Sequence, residues 1–177
     1  VKAPQFCGKK TLITVGAMRK IFAIITILLM ASCVYSQEAV YVNGKGYEGY
    51  IFPKEHPIWG FPPEQNRYTP SSEEIALAEK ILRDSIGTVY VKSHQQAYRK
   101  PPINKRTLKN YLRQYVGYAT DEGEIIIHIY LNKGIETDKN KLSEEIIAVF
   151  GGGSNHWHVK INISTKELFD MQVNGIS

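Results

Sequence analysis

The chain has 177 residues, with 22 Lys and Arg against 17 Asp and Glu, a formal net charge of +5. Residues 1–36 carry five of those bases and no acid, so the remaining 141 residues hold 17 charges of each sign, and the basic excess gives no argument for nucleic-acid binding. The only cysteines, Cys7 and Cys33, also lie in that leading stretch, which excludes a disulfide scaffold for the rest of the chain.

Residues 1–17 precede a normal export signal and are expected to be an over-extended gene start, with the natural product beginning at Met18. Met18-Arg19-Lys20 supplies a start and a basic region, residues 21–30 (IFAIITILLM) an apolar core, and residues 31–36 a small-residue end. This order predicts a secretory signal peptide over 18–36. Ten apolar residues are too few to span a bilayer, which takes about 20, and no later stretch is apolar enough. Two endings fit. Cleavage after Ser36 gives a free periplasmic or secreted protein. Alternatively, residues 29–33 (LMASC) approximate a lipobox, and acylated Cys33 becomes a lipid anchor on the outer membrane.

Residues 37–70 read as an aromatic and proline-rich extended segment. Asn43-Gly44-Lys45-Gly46 between aromatic and branched residues signals a hairpin, or else a tether with aromatic side chains. Five prolines from Pro53 to Pro70 exclude a helix or central strand, and Trp59 and Phe61 predict that the segment lies across the domain. Its alternative role is to dock a partner.

Residues 71–177 read as one α+β domain. Ser71 and Glu74 have capping-box spacing. Ile75, Ala78, Ile81, Leu82 and Ser85 then form a stripe at helical period, with Glu73, Glu79, Lys80 and Arg83 facing out and Gly87 as the stop. A strand is expected at 88–92, a loop through Pro101-Pro102, and a short helix at 105–112. Residues 113–120 and 124–131 alternate around Asp121-Glu122-Gly123, the pattern of a hairpin. Ile125, Ile127, Ile129 and Leu131 are expected in the core, opposite Ile126, His128 and Tyr130. Residues 132–143 read as a charged loop and 146–150 as a strand. Trp157, Val159, Ile161 and Ile163 alternate with His156, His158, Lys160 and Asn162, and Phe169, Met171 and Val173 repeat the pattern after a polar turn. The expected architecture is one N-terminal helix packed on an antiparallel meander of five to six strands.

Three signals bear on chemistry. His128, His156 and His158 fall on one face of neighbouring strands, and three imidazoles can bind zinc or copper, although no carboxylate or thiolate lies close in sequence as a fourth ligand. Gly151-Gly152-Gly153-Ser154 can aim backbone N–H groups at an anion, but lacks the spacing of a nucleophile elbow, and beside Ser154 only His156 stands as a base. Lys92, Arg99, Lys100, Lys105, Arg106, Lys109 and Arg113 form a run of seven bases without an acid, interleaved with tyrosines. Outside the cytoplasm its anionic partners are lipid head groups, envelope glycans or an acidic protein surface.

Tyr68-Thr69-Pro70, the run from Arg113 to Tyr118, the glycine-rich turn into Trp157-His158-Val159-Lys160, and Val173-Asn174-Gly175 together resemble uncharacterised small exported bacterial proteins over residues 68–175. In layout the chain is similar to cystatin-like folds, which host inhibitors and ligand-binding domains. That resemblance implies no activity, catalytic residue or cofactor. The sequence reading is therefore an exported envelope protein that acts as a binding or interaction module. An enzyme or metal protein using the histidine face, and a structural accessory of an envelope assembly, are the alternatives.

Overall fold

Ile125, Ile127 and Ile129 alternate in one stretch and Trp157, Val159 and Ile161 in another; branched and aromatic residues at this period suit a pleated surface, and both stretches lie in the sheet. In the computed structural model, which describes residues 38–58, 66–94, 102–134, 139–147, 149 and 151–175, the chain folds as α+β around one seven-stranded sheet. Strands β1 (Val40–Gly44) and β2 (Tyr47–Phe52) make a hairpin across Lys45-Gly46, with Gly46 at a φ of 84°. The short β3 (Arg67–Tyr68) leads into helix α1 (Ser72–His94). A 3-10 turn (Leu108–Asn110) precedes β4 (Leu112–Ala119) and β5 (Ile125–Asn132). Helix α2 (Lys139–Glu144) and a second 3-10 turn (Gly153–Asn155) precede β6 (His156–Asn162) and β7 (Glu167–Val173).

The sheet order is β1-β2-β4-β5-β6-β7, with β3 pairing β4 beyond the end of β2. Strands β4 to β7 form the expected antiparallel meander. The expectation of an antiparallel meander of five to six strands behind an N-terminal helix is corrected in three ways. The sheet has seven strands, the helix follows three of them, and β2 runs parallel to β4. A parallel pair needs a crossover connection, and α1 lies within that connection. At this pairing Gly49 faces Arg113, and a Cβ on Gly49 would sit 2.2 Å from the Arg113 carbonyl oxygen.

One sheet face carries the core. Tyr115, Ile127, Ile129, Leu131, Val159 and Ile161 are fully buried there, together with Trp157 at 2 % exposure. Ile75, Ala78, Ile81, Leu82 and Ile86 of α1 join the same cluster, each large side chain contributing about 1.5–3 kcal/mol in transfer terms. The capping box is formed: Ser71 N–H donates to Glu74 at 2.8 Å and Glu74 N–H to Ser71 Oγ at 3.2 Å. The Tyr68 hydroxyl donates to the same carboxylate.

Helix α1 does not stop at Gly87. It takes in 88–92, read from sequence as a strand, because Val89 continues the apolar stripe one turn past Ile86 and packs on the core. Gly87 faces outward: among the described residues, no atom beyond its own helix backbone and chain neighbours lies within 4 Å of where a Cβ would stand. Gly87→Ala is therefore expected to raise unfolding free energy by roughly 0.4–1 kcal/mol, measured by urea denaturation. A loss of stability would show that the helix needs the glycine's freedom there.

The other sheet face is also partly covered, which single-face alternation did not anticipate. Phe52, Val116 and Leu142 are fully buried on it, and Ile126 is 2 % exposed. Helix α2 stands where a charged loop was expected. Residues 146, 147 and 149 lie outside any strand, so the strand expected at 146–150 does not form over the described residues. Gln114 holds this segment down: its amide donates to Leu142 O at 2.9 Å and Glu145 O at 2.7 Å, and its Oε1 accepts from Ile147 N–H at 2.9 Å. Phe169 was expected in the core with Met171 and Val173. A bulge opposite residues 158–160, with Asp170 at a φ of 48°, puts Phe169 out of phase, and it is 40 % exposed. Among the described residues no helix is long and apolar enough to cross a membrane. The export segment, Cys33, Trp59 and Phe61 lie outside the described residues.

Candidate functional site

The run of bases read from the sequence does not act as one unit. Arg99 and Lys100 lie outside the described residues, as does the side chain of Lys92. Arg113, expected to bind anions, is fully buried against Glu79, which was expected to face solvent and is 2 % exposed. Its Nε donates to Glu79 Oε1 at 3.1 Å, and Tyr115 donates to the same oxygen at 2.9 Å. Burial first, and then the Glu79 charge, push the Tyr115 phenol well up. Arg113 also donates to Gly46 O at 3.3 Å, so the buried pair supports the β1–β2 turn from beneath.

Above that support, Lys105, Arg106 and Lys109 converge with two cations that the local run does not contain. Lys45 comes from the β1–β2 turn and Arg83 from α1; with Gly46 and Leu108 they line an open cavity of about 390 Å³. Among the described residues its lining has five cationic side chains and no acid. The segment carrying Lys105 and Arg106 is a compact turn. Asn104 N–H donates to Thr107 Oγ1 at 2.9 Å, Arg106 N–H to Asn104 Oδ1 at 2.9 Å, and the Thr107 hydroxyl to Pro102 O at 2.9 Å. Ile103 and Leu108 anchor it in the core. Arg83 donates to Lys45 O at 2.6 Å, joining two walls of the cavity. One carboxylate stands nearby. Asp84 lies 3.1 Å from Lys80 and 3.7 Å from Lys105, and these lysines, Lys80 foremost, hold its carboxyl below the usual range.

The histidine face forms in part. His128 Nε2 lies 2.9 Å from His158 Nδ1, and the His128 ring stacks on Tyr130 with centroids 4.3 Å apart. His156, on the same sheet face, does not join that contact: its Nδ1 lies 3.0 Å from Asn132 Oδ1. Among the described residues no three His, Cys, Asp or Glu side chains are grouped so as to hold a metal ion. Burial is the main reason all three imidazoles titrate below their ordinary value, His128 at about 3. The glycine-rich turn uses its donors internally, with Gly153 N–H on Gly175 O at 3.0 Å and Asn155 N–H on Gly152 O at 3.1 Å, so these two do not form an anion nest. Ser154 lies within that turn and its carbonyl accepts from Tyr111 at 2.8 Å.

The sequence pointed to three of the five cations because they sit close together in the chain. It missed Lys45 and Arg83, which reach the cavity only through the hairpin and the helix packing. No family model, no curated protein and no solved structure matches this chain.

Proposed function

We propose that the protein is an exported, non-enzymatic binding module of the cell envelope, and that the Lys45–Arg83–Lys105–Arg106–Lys109 cavity takes anionic groups of an envelope glycan or lipid. The observation that carries this reading is the convergence of five cations from three separate segments on one cavity, with no acid among the described residues of its lining. Such a concentration of one sign attracts and orients anions, and a turn braced by side-chain hydrogen bonds needs little ordering on binding. A helix laid over an antiparallel meander, here β4 to β7, is also a feature of cystatin-like binding domains, which favours recognition over catalysis by analogy.

Binding to phosphatidylglycerol vesicles and to dextran sulfate, each measured from 50 to 500 mM NaCl, tests the proposal. Affinity for at least one is expected to fall about tenfold or more over that range as exposed charges are screened. Lys105→Glu combined with Arg106→Glu is expected to abolish it. Absence of binding at 50 mM salt, or binding indifferent to the double reversal, would refute the assignment.

A further inference from the structure

A second cavity, of about 300 Å³, opens on the sheet face opposite α1, where β5, β6 and β7 meet Ile147 and Val149. Tyr130, Asn132, His156, His158, Gln172 and Asn174 supply its polar lining, and Ile147 and Val149 an apolar side. None of these carries a fixed charge, and burial disfavours the charged form of both imidazoles. Of the charges next to it, Lys160 and Asp170 are bound to each other at 2.7 Å, and Arg67, which acts on Tyr130, donates to the Pro53 and His56 carbonyls.

The frame of this cavity is fixed by internal hydrogen bonds. Asn174 donates to the carbonyls of Val149 and Gly151, and Asn132 donates to Gln114 at 3.4 Å. His156 meets an amide oxygen, which only accepts, so its Nδ1 carries the proton and its Nε2 is left as an acceptor. His158 has one ring nitrogen on His128, and Gln172 has its amide nitrogen on Asp170 at 2.9 Å. Among the described residues, the Tyr130 hydroxyl, His156 Nε2, His158 Nε2 and Gln172 Oε1 have no hydrogen-bond partner within the protein.

The geometry points to a site for one uncharged, polyhydroxylated ring, a neutral sugar residue. Neutral amide, phenol and imidazole groups match hydroxyls, each of which both donates and accepts. The Ile147 and Val149 side chains suit the C–H face of a pyranose. The cavity is at the small end of ligand sites and takes a single ring with its substituents. A charged ligand meets no charged side chain among the described lining residues and would lose hydration without a direct partner there. This site is separate from the basic cavity, so either assignment can fail alone.

The test uses the methyl glycosides of glucose, galactose and N-acetylglucosamine, with methyl glucuronide as the charged counterpart and maltotriose as a glycan end. Binding is followed through the His156 and His158 imidazole signals in NMR titrations at pH 7.5. At least one neutral glycoside or the trisaccharide is expected to shift both signals saturably. Its affinity is expected to exceed that of the glucuronide about tenfold or more. Response to the trisaccharide alone assigns the site to a glycan end, and response to a methyl glycoside assigns it to a single residue. Tyr130→Phe and Gln172→Ala, each checked for folding by circular dichroism, are expected to weaken binding about five- to tenfold. No response to any neutral probe, equal affinity for the glucuronide, or two folded variants that bind unchanged would overturn the assignment. If neither variant folds, the neutral-against-glucuronide comparison on the wild type decides.

Discussion

Glu79→Ala is expected to lower the unfolding free energy by about 3–5 kcal/mol, measured by urea denaturation at pH 7. The mutation leaves the Arg113 guanidinium, which is fully buried, without its carboxylate, and leaves the Tyr115 hydroxyl without its acceptor. The loss reflects an uncompensated buried charge, not the net worth of the ion pair. That distinction has its own consequence. Joint replacement of Glu79 and Arg113 by methionine removes both charges together and is expected to recover most of the loss. A double variant as unstable as Glu79→Ala would instead mean that Arg113 acts mainly by bridging Gly46 and Tyr111, to whose carbonyls it also donates. A single-variant loss below about 1 kcal/mol would contradict the buried placement of the pair.

The second large effect is on pH dependence. Burial, assisted by the neighbouring His158 and Lys160 charges, holds His128 at about 3 in the folded protein against an ordinary 6.5. Below pH 6.5 the unfolded chain therefore takes up a proton that the folded chain refuses. Stability from this group is complete above pH 6.5 and declines as pH falls toward 3, by up to about 1.4 kcal/mol per pH unit. Between pH 7 and pH 4.5 the loss amounts to roughly 2–3 kcal/mol. His156 and His158 shift in the same direction and add to it. Glu74, Asp84 and Asp170 have lowered carboxyl values, so their contributions are lost only at lower pH. His128→Gln keeps a hydrogen-bonding group beside His158 but does not titrate. Urea denaturation at pH 7 and pH 4.5 is expected to show a difference for this variant smaller than wild type by about that amount. An unchanged difference would place the acid sensitivity elsewhere.

These two effects arise where local reading of the chain was weakest. Glu79 falls on the outward side of an amphipathic stripe drawn with Ile75, Ala78 and Leu82, yet it is buried because Arg113 reaches it from a strand 34 residues later. Arg113 in turn looked like one more base in a basic run. Nothing within either segment distinguishes a charge that will be paired in the interior from one left in water. His128 stood on the polar side of β5, yet it is 6 % exposed, packed beside Tyr130 of its own strand and His158 of the next.

Helix start, strand alternation and hairpin order follow from contacts a few residues apart, and residues 71–86, 113–131 and 156–173 stated them directly. The capping box at Ser71 and the core set of Ile127, Ile129 and Leu131 needed no further information. Tertiary packing decided the rest: the parallel pairing of β2 with β4, the passage of α1 through Gly87, the bulge that exposes Phe169, and the gathering of Lys45 and Arg83 beside Lys105, Arg106 and Lys109. Each depends on groups far apart in the chain, whose pairing energy exists only once the sheet has formed. The amino-acid order therefore determined the start of α1, the β4–β5 and β6–β7 hairpins and the inward side of most of their residues, and the assembled sheet determined which charges are buried and which meet at a cavity.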